Sequence, residues 1–546
     1  MSRRTAAARS VLTTPFSRRH ALLLTLAGAA APALAACNDT EPVSGSTAGA
    51  GSGSTSGSSA ASTATAMSDG TDMNLTGGVR KEVRVLGNTL DIAVGPAAVV
   101  DDTTVVRVAM SVTDSATEGE SFSPSLVWDG ETQEAVPVPC GARLLDLDAG
   151  TVRQCSATLP MDFVGTDGAP VAIALTFSAV DTDSVDVLLP NVGLFTGVPV
   201  VTAADAGYDT AAAITAAGID PTVATVALTL MPCATDPNGY GDTSISGDTV
   251  SIVLGSDVLF GVDSSELSDQ ARASLDQVAA ALPSYGGGTL TITGHTDDVA
   301  DDAHNQTLSE QRAQAVADYL GQKADLSDFK VSVEGKGETE PRVPNSDDAS
   351  RAVNRRVEMV IVANTPPDST PVITGATSWP TATGLTATGA EGVSLTNPDI
   401  DGGLRLEVVG VTRRGGYLVG EFRLTGLPVA DPGTYVYEWF NTDAWDSPFP
   451  GDTTDGALVS STKFITLLAG SMRHFPAAYL QPDSDRHVFA TEMNANLSLR
   501  EGDEQRLTSI WPDTGEDTLL VDYGLQPADY FPTTPFRLTD VPVTVA

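Results

Sequence analysis

The chain has 546 residues, of which 41% are hydrophobic, and it carries a formal net charge of −40 at pH 7. This length predicts three or four domains rather than one. The negative charge excludes binding to nucleic acid, and it excludes purely electrostatic binding to anionic lipid surfaces. Both kinds of binding require clusters of Lys and Arg.

Residues 1–36 have the composition of an export signal. Arg18 and Arg19 precede an apolar run that starts at Ala21 and ends in small residues. A basic region followed by an apolar segment too short to span a bilayer comfortably is typical of a secretory signal peptide. The paired arginines leave both the Sec route and the twin-arginine route of export open.

The end of this segment resembles a site of lipid attachment. Leu34-Ala35-Ala36-Cys37 is similar to the lipobox of bacterial lipoproteins. The resemblance implies that Cys37 is acylated, as by palmitate, and anchors the mature protein to a lipid bilayer on the extracytoplasmic face of a membrane. A plain signal peptide is the alternative. Residues 37–78 are rich in Ser, Gly, Ala and Thr and predict a flexible linker.

Two long regions, 79–235 and 372–546, contain short runs of alternating apolar and polar residues. This pattern predicts two all-β domains, for which an immunoglobulin-like sandwich is the expected fold. A linker rich in Pro and Ser, residues 364–371, precedes the second region. Leu188-Leu189 and Leu519-Leu520 are followed at equal spacing by Gly-Leu, which indicates either an internal repeat or a chance likeness.

Three cysteines follow Cys37. Cys140 and Cys155 flank a stretch of hairpin length and are candidates for a disulfide in an oxidising envelope. Cys233 is left over, so it is either buried without a disulfide or the true partner of one of the others.

Between the β regions, residues 248–363 alternate strands with helices in the order βαβαββ and predict an α/β domain. Ser268 is the expected N-cap of the first helix. For the second helix Ser309 is the expected N-cap, which would put Arg312 in the first turn, beside the positive end of the helix.

Two opposite charges in this region suggest a binding site. Asp297 follows directly after a predicted strand, where open α/β sheets place ligands, and the loop behind it leads back towards Arg312. A carboxylate and a guanidinium in one pocket suit a zwitterion, whose ammonium group faces Asp297 and whose carboxylate faces Arg312. The alternative is a structural ion pair with no ligand.

His295 and His304 lie in the same stretch among several aspartates, which raises the alternative of a metal site. Consecutive carboxylates do not fix a coordination geometry, so neither a metal nor a cofactor is predicted. His295 is interpreted as a strand-end residue and His304 as a loop surface residue. The common hydrolase motifs are missing from the sequence, and the protein is predicted not to be an enzyme.

Ordered motifs run through the α/β region. They are Leu259-Phe260, Ser264 and Leu267; Gly294-His295-Thr296-Asp297; Asn305, Leu308-Ser309 and Arg312-Ala313; Gly335-Lys336-Gly337-Glu338, Pro341 and Asn345; and Asn354-Arg355-Arg356-Val357-Glu358. Together they resemble the OmpA-like C-terminal domain, the peptidoglycan-associated module of bacterial envelope proteins.

The resemblance implies a function for five residues. The equivalents of Asp297 and Arg312 hold the zwitterionic end of the diaminopimelate side chain in a peptidoglycan stem peptide. Asn305 is expected to shape the loop, and one of Arg355 and Arg356 to line the pocket.

This chain departs from the family pattern at the pocket rim. Ala300 stands where the family often has Gly, and Gly261 stands where an acidic or polar residue is common. These differences bear on affinity more than on fold.

The predicted function is non-covalent binding of peptidoglycan by a lipid-anchored protein of the cell envelope, which tethers a membrane to the cell wall. One alternative is an adhesin or receptor whose β domains bind an external protein partner, with the wall contact serving only as an anchor. A wall-active hydrolase hidden in the β domains is the other.

Overall fold

A computed structural model defines the fold in most of the chain beyond the predicted linker. The structure describes residue 73 and the ranges 77–115, 141–157, 169–217, 226–236, 241–365, 379, 381–382, 384–396, 402–428, 434–435, 460–462, 465–470, 472–480, 487–493, 498–523 and 535–545. The predicted signal peptide, Cys37, nearly all of both linkers and Cys140 lie outside these ranges. Within them, no helix combines the length and the apolar character needed to cross a membrane.

In its described residues, the first β region consists mainly of strands. Its strands are β1 (Val79–Val85), β2 (Asn88–Val100), β3 (Thr103–Ser115), β4 (Arg143–Asp146), β5 (Thr151–Gln154), β6 (Val171–Ser178), β7 (Ser184–Leu189), β8 (Gly193–Thr202) and β9 (Leu228–Thr229). A 3-10 turn (Ala203–Asp205) and helix α1 (Thr210–Ala217) follow β8. Leu90, Ile92, Phe177 and Phe195 are fully buried in its core.

The middle of the chain mixes strands and helices. It contains β10 (Met231–Thr235), β11 (Gly241–Ser246), β12 (Thr249–Gly255), α2 (Ser256–Leu259), α3 (Asp269–Ala281), a 3-10 turn (Leu282–Tyr285), β13 (Gly288–His295), α4 (Asp302–Lys323), β14 (Phe329–Gly335), α5 (Asp348–Asn354) and β15 (Arg356–Ala363). The short helices α2 and α5 are additions to the predicted βαβαββ order.

The last region returns to strands. They are β16 (Leu385–Thr388), β17 (Val393–Thr396), β18 (Gly403–Arg414), β19 (Tyr417–Gly426), β20 (Thr434–Tyr435), β21 (Ser460–Ser461), β22 (Thr466–Ala469), β23 (Met472–Leu480), β24 (His487–Phe489), β25 (Glu492–Met493), β26 (Ser498–Leu499), β27 (Glu504–Pro512), β28 (Thr518–Tyr523) and β29 (Phe536–Val545). Trp511 and Phe422 pack edge to face in its core.

The two β regions share one topology. The first sheet runs β6-β3-β2-β8-β7-β4-β5-β9, and the second runs β27-β19-β18-β29-β28-β22-β23-β10. Along these two orders, the one parallel step falls at the same place, β2 with β8 and β18 with β29. Strand β16, outside this order, adds a second parallel pairing to β29. This agreement supports the internal repeat over chance likeness, and the paired leucines fall on the equivalent strands β7 and β28. An immunoglobulin-like arrangement stays a prediction.

A short segment joins the two repeats and the α/β domain. Strand β9 pairs with β5 of the first repeat, and β10, which follows it directly, pairs with β23 of the second. Strand β11 then pairs with both β10 and β12, so the α/β sheet continues the sheet of the second repeat. Residues 231–235, assigned by sequence to the first β region, therefore lie in the sheet of the second.

The repeats also share apolar contacts. Leu145 and Leu188 of the first repeat and Tyr417 and Tyr479 of the second belong to one buried cluster. Burial of this area stabilises the repeats against each other as well as internally.

The cysteines are only partly described. Cys155 and Cys233 are both buried. Because Cys140 lies outside the described ranges, the Cys140–Cys155 disulfide stays a prediction.

In the α/β domain, the sheet order is β14-β13-β15-β12, with β13 and β14 parallel. Leu275 and Val278 of α3 and Val316 and Leu320 of α4 are fully buried against this sheet. The predicted N-cap of α3 is confirmed, because the Ser268 side chain accepts a hydrogen bond from the backbone N–H of Ala271 at 2.9 Å.

The predicted start of the second helix is wrong. Helix α4 begins at Asp302, and its N-cap is Asp301, whose carboxylate accepts from the N–H of His304 at 3.0 Å. Ser309 lies inside the helix, fully buried, and its hydroxyl oxygen accepts from the Gly337 N–H at 2.9 Å. Arg312 is therefore far from the free N–H groups of the first turn. The positive end of the helix dipole does not add to its charge at a binding site, as the predicted helix start had implied.

Two paired glycines bring α4 close to the sheet. Gly294 of β13 lies opposite Gly335 of β14. A Cβ atom on Gly294 would come within 2.2 Å of the Ser309 carbonyl oxygen, and one on Gly335 within 2.5 Å of the Glu310 backbone nitrogen. Only glycine permits this approach, which holds the middle of α4, including Arg312, beside the end of β13.

We expect Ala234→Pro to weaken the second repeat and the α/β domain together. Ala234 is fully buried in β10 and lies between Thr243 and His474 of the neighbouring strands. Proline removes a ladder hydrogen bond from a central strand, so the free energy of unfolding should fall by about 3 kcal/mol. Urea unfolding measures the total, and hydrogen exchange in β12 and β22 shows whether both sides lose protection.

Ala234→Gly is the matched control, because it keeps the N–H and should cost only about 1 kcal/mol. Loss of protection in β22 with β12 unchanged would contradict the coupling of the two sheets.

Candidate functional site

A cavity of about 710 Å³ opens at the end of strand β13. Its walls come from α2 and the turn after it, from the loop between β13 and α4, from α4 itself and from the α5–β15 junction. Asp297, Asn305, Arg312 and Arg355 line the cavity, whereas Arg356 does not. The two charges singled out in the sequence thus face one space.

Asp297 is held at the cavity wall by two contacts. Its Oδ1 accepts from the backbone N–H of Val299 at 3.1 Å, and its Oδ2 accepts from Nη1 of Arg355 at 2.5 Å. Only 7% of the residue is exposed. A carboxylate has about four acceptor positions, so these two bonds orient Asp297 without using its full capacity.

Arg312 lines the cavity and is held there by two contacts. Its Nε donates to the Ser264 carbonyl oxygen at 2.9 Å, and its guanidinium carbon lies 5.2 Å from the centre of the Phe260 ring. Burial is the largest influence on Arg312 and lowers its pKa. Among the described residues, Arg312 forms no ion pair, and its two terminal nitrogens donate to no protein atom. A planar guanidinium whose terminal N–H groups have no protein acceptor is suited to binding a carboxylate through two parallel hydrogen bonds.

Arg355 connects two carboxylates. Its Nε and Nη2 donate to the two oxygens of Asp257 at 2.7 and 2.5 Å, while its Nη1 bonds Asp297. The hydrogen bond to Asp257 is the largest influence on Arg355 and raises its pKa. Arg355 is therefore a firmly ionised bridge between α2 and the strand-end loop.

Arg356 points elsewhere. Its Nε donates to Glu358 Oε1 at 2.7 Å, and its terminal nitrogens donate to the carbonyl oxygens of Asn354 and Glu340, both at 3.2 Å. Of the two arginines left open by the sequence, Arg355 is the one that lines the cavity.

Asn305 braces the loop from the first turn of α4. Its Nδ2 donates to the Asp297 carbonyl oxygen at 3.3 Å and to Glu338 Oε2 at 2.6 Å. These bonds join the helix, the strand-end loop and the Gly335-Lys336-Gly337-Glu338 turn into one frame.

The two histidines are in unlike surroundings. His295 is 2% exposed, and its ring nitrogens have no hydrogen-bond partner within the described ranges. Burial first, then the Arg356 charge, lower its pKa to about 4. His304 is exposed and its Nε2 lies 2.7 Å from Asp263 Oδ1. In the part of the chain that the structure describes, no three His, Cys, Asp or Glu residues form a group that could hold a metal ion.

Sequence reasoning missed several residues of the cavity wall. Asp257, Asp263 and Arg351 all line it, and Arg351 bonds Asp298 at 2.8 Å. Asp257 stands only two residues before the Leu259-Phe260 motif, but nothing in its spacing marks it as a partner of Arg355. That pairing arises from the fold.

The rim carries the two departures from the family pattern. Ala300 has a φ of 87°, in the left-handed region that favours glycine. A Cβ atom on Gly261 would meet only the Ser264 Cβ, at 3.8 Å, so a side chain fits there without a clash.

We expect Ala300→Gly to stabilise the protein. The left-handed backbone strains an L-residue by roughly 1–2 kcal/mol, while glycine costs some unfolded-state entropy, so the free energy of unfolding should rise by about 0.5–1 kcal/mol. Chemical denaturation measures the change. Ala303→Gly, inside α4, is the control and should destabilise by up to about 1 kcal/mol. A loss of stability in Ala300→Gly would show that the strain is not relieved there.

His295 should make stability depend on pH. Its pKa is about 4 in the folded protein against an ordinary value of 6.5, so between these values the unfolded chain binds the extra proton. Stability is therefore lost as pH falls from about 6.5 towards 4, by at most about 1.4 kcal/mol per pH unit.

In His295→Gln the loss between pH 7 and pH 5 should be smaller than in the wild type by on the order of 1 kcal/mol, as measured by urea unfolding. Part of the slope should remain, because burial also lowers the pKa of His474 to about 4. Identical slopes in the wild type and the variant would show that His295 is not the group responsible.

Comparison with known proteins identifies the α/β region. The sequence profile of the OmpA family matches residues 259–355. Outer membrane porin F of Pseudomonas aeruginosa is 38% identical over 107 residues, which cover 20% of this chain and 31% of the relative. Outer membrane protein A of Bordetella avium is 37% identical over 113 residues, covering 21% of this chain and 58% of the relative. The match spans less than two thirds of either relative.

Solved structures show similar regions. One is the cell wall anchor of the T6SS from Pseudomonas aeruginosa, with 32% sequence identity, 23% of this chain and 88% of that chain covered, and a TM-score of 0.21. Another is the peptidoglycan-associated lipoprotein from Burkholderia pseudomallei, with 31% identity, 19% and 86% coverage, and a TM-score of 0.17. Residues 259–355 form an OmpA-family domain, which in this protein stands in sequence between two β regions of one repeated topology.

Proposed function

We propose that this protein binds peptidoglycan without a covalent bond, through the cavity at the end of β13, and so attaches a membrane to the cell wall. The observation that carries the proposal is the single cavity lined by Asp297 and by Arg312, whose terminal nitrogens have no protein partner among the described residues. Two similar structures are described as a cell wall anchor and as a peptidoglycan-associated lipoprotein.

The ligand we propose is the free end of a diaminopimelate-type side chain in the stem peptide. This group carries an ammonium and a carboxylate on one carbon. The carboxylate would lie against Arg312 and the ammonium against Asp297, and both contacts would gain from the partial burial of the two side chains. The proposed activity is binding, with no reaction step.

The proposed anchor completes the tether. If Cys37 is acylated, residues 37–78 separate the lipid from the first repeat. A Ser- and Gly-rich linker of this length has a root-mean-square reach of roughly 35 Å. The binding domain would then meet the wall at a distance from the membrane surface. The two β repeats have no proposed partner of their own.

We expect Asp297→Asn and Arg312→Gln each to weaken binding to purified sacculi. Each change removes one charge and leaves the matching charge of the ligand unpaired at a poorly hydrated site, which should cost on the order of 2 kcal/mol, or about 30-fold in Kd. Co-sedimentation of the purified protein with sacculi over a range of concentrations gives the Kd of each variant.

Asp276→Asn is the control. Asp276 pairs with Lys323 at 2.7 Å on the exposed side of α3 and α4, outside the cavity, so its loss should leave binding unchanged. Competition by free meso-diaminopimelate tests the ligand separately. Wild-type binding in both site variants would mean that the cavity is not where the wall is held.

A further inference from the structure

We propose that Asp257 determines the preference of the cavity for a ligand with an ammonium group, by neutralising Arg355 so that Asp297 keeps a net negative charge. This inference rests on the proposed function, and it concerns a residue outside the Asp297–Arg312 pair. Asp257 acts through Arg355 and is a positioning residue.

The argument starts from an apparent conflict in the site. Asp297 is the proposed acceptor of an ammonium group, yet Arg355 already donates to it at 2.5 Å. An isolated Asp297–Arg355 pair would be electrically neutral and would attract a second cation only weakly. Something must offset the guanidinium if Asp297 is to bind a cationic group.

Asp257 supplies that charge. It holds Arg355 through two parallel bonds, at 2.7 and 2.5 Å, the strongest geometry available to a guanidinium and a carboxylate. The three groups Asp257, Arg355 and Asp297 together carry one net negative charge. Arg312, on the same cavity, carries one positive charge, so these four groups together are neutral and offer one negative and one positive position, as a zwitterionic ligand requires.

The backbone fixes this arrangement. The N–H of Ser256 donates to the Arg355 carbonyl oxygen at 2.8 Å, and Ser256 is 1% exposed. The residue that follows Ser256 is therefore held beside the Arg355 side chain. The short helix α2, which the predicted strand–helix order lacked, places the Asp257 carboxylate where it can form the two parallel bonds to Arg355.

The other charged groups of the cavity wall have contacts of their own. Arg351 bonds Asp298 at 2.8 Å and lies 3.5 Å from Asp348, and His304 lies 2.7 Å from Asp263. Asp301 is engaged as the N-cap of α4. The cavity wall as a whole is acidic, with five aspartates against three arginines, and among the described arginines that line it only Arg312 has no ion-pair partner.

The test compares two probes on the purified protein. Meso-diaminopimelate carries both ammonium and carboxylate groups, and heptanedioic acid has the same carbon chain and carboxylates without the amines. Calorimetric or NMR titration gives the Kd of each. In the wild type, meso-diaminopimelate should bind about tenfold more tightly than heptanedioic acid, and Asp257→Asn should lose most of this ratio.

The double variant Asp257→Asn/Arg355→Gln separates a charge effect from a structural one. Removing both the Asp257 carboxylate and the Arg355 guanidinium leaves Asp297 with its own negative charge. The preference for meso-diaminopimelate should therefore return to within about threefold of the wild-type ratio. Asp276→Asn is the control for the substitution itself and should keep the full ratio. Thermal unfolding of each variant checks the fold.

An unchanged ratio in Asp257→Asn would overturn the inference, and so would a double variant no more selective than the single one, while the proposed function would stand. If the wild type binds neither probe and does not sediment with sacculi, the proposed function fails and takes this inference with it.

Discussion

The architecture depends on the pairing of one short segment with three partners. Strands β9, β10 and β11 are consecutive in the chain, and they pair with the first repeat, the second repeat and the α/β domain in turn. A sheet is stiff along its hydrogen-bonded direction because each strand fixes its neighbour's register. The cavity is consequently carried on a domain whose sheet continues that of the second repeat.

Within the OmpA-family domain, close packing positions the charges. The opposed glycines Gly294 and Gly335 let α4 lie against the strand ends, which places Arg312 near Asp297 although α4 begins well before the expected residue. The charges are then tuned by their neighbours. Burial favours the neutral form of Arg312, while two carboxylates favour the ionised form of Arg355. The positions of the charged side chains thus depend on the packing of α4, whereas their ionisation depends on burial and on neighbouring carboxylates.

Local patterns predicted the strands and helix α3 with its Ser268 cap, because these depend on periodicity and on near neighbours. They failed at α4, where Asp301 and Ser309 are both good N-cap residues and only the distant Gly337 explains why Ser309 is buried within the helix. The sequence also could not show which of Arg355 and Arg356 lines the cavity. Adjacent residues at the start of a strand face opposite ways, and the sequence does not say which of the two faces the site. Asp257 escaped notice because its partner lies almost a hundred residues away.

The repeated topology has a consequence for how the chain is made. Strand β10 is synthesised long before β23, its neighbour in the finished sheet. Until β23 has been synthesised, one edge of β10 has no strand to pair with. The edge of β5, which is the equivalent strand of the first repeat, is a possible incorrect partner for it. Native closure is of high contact order and therefore slow. In the folded protein strand β9 pairs with β5 and so fills the position that β10 could otherwise take.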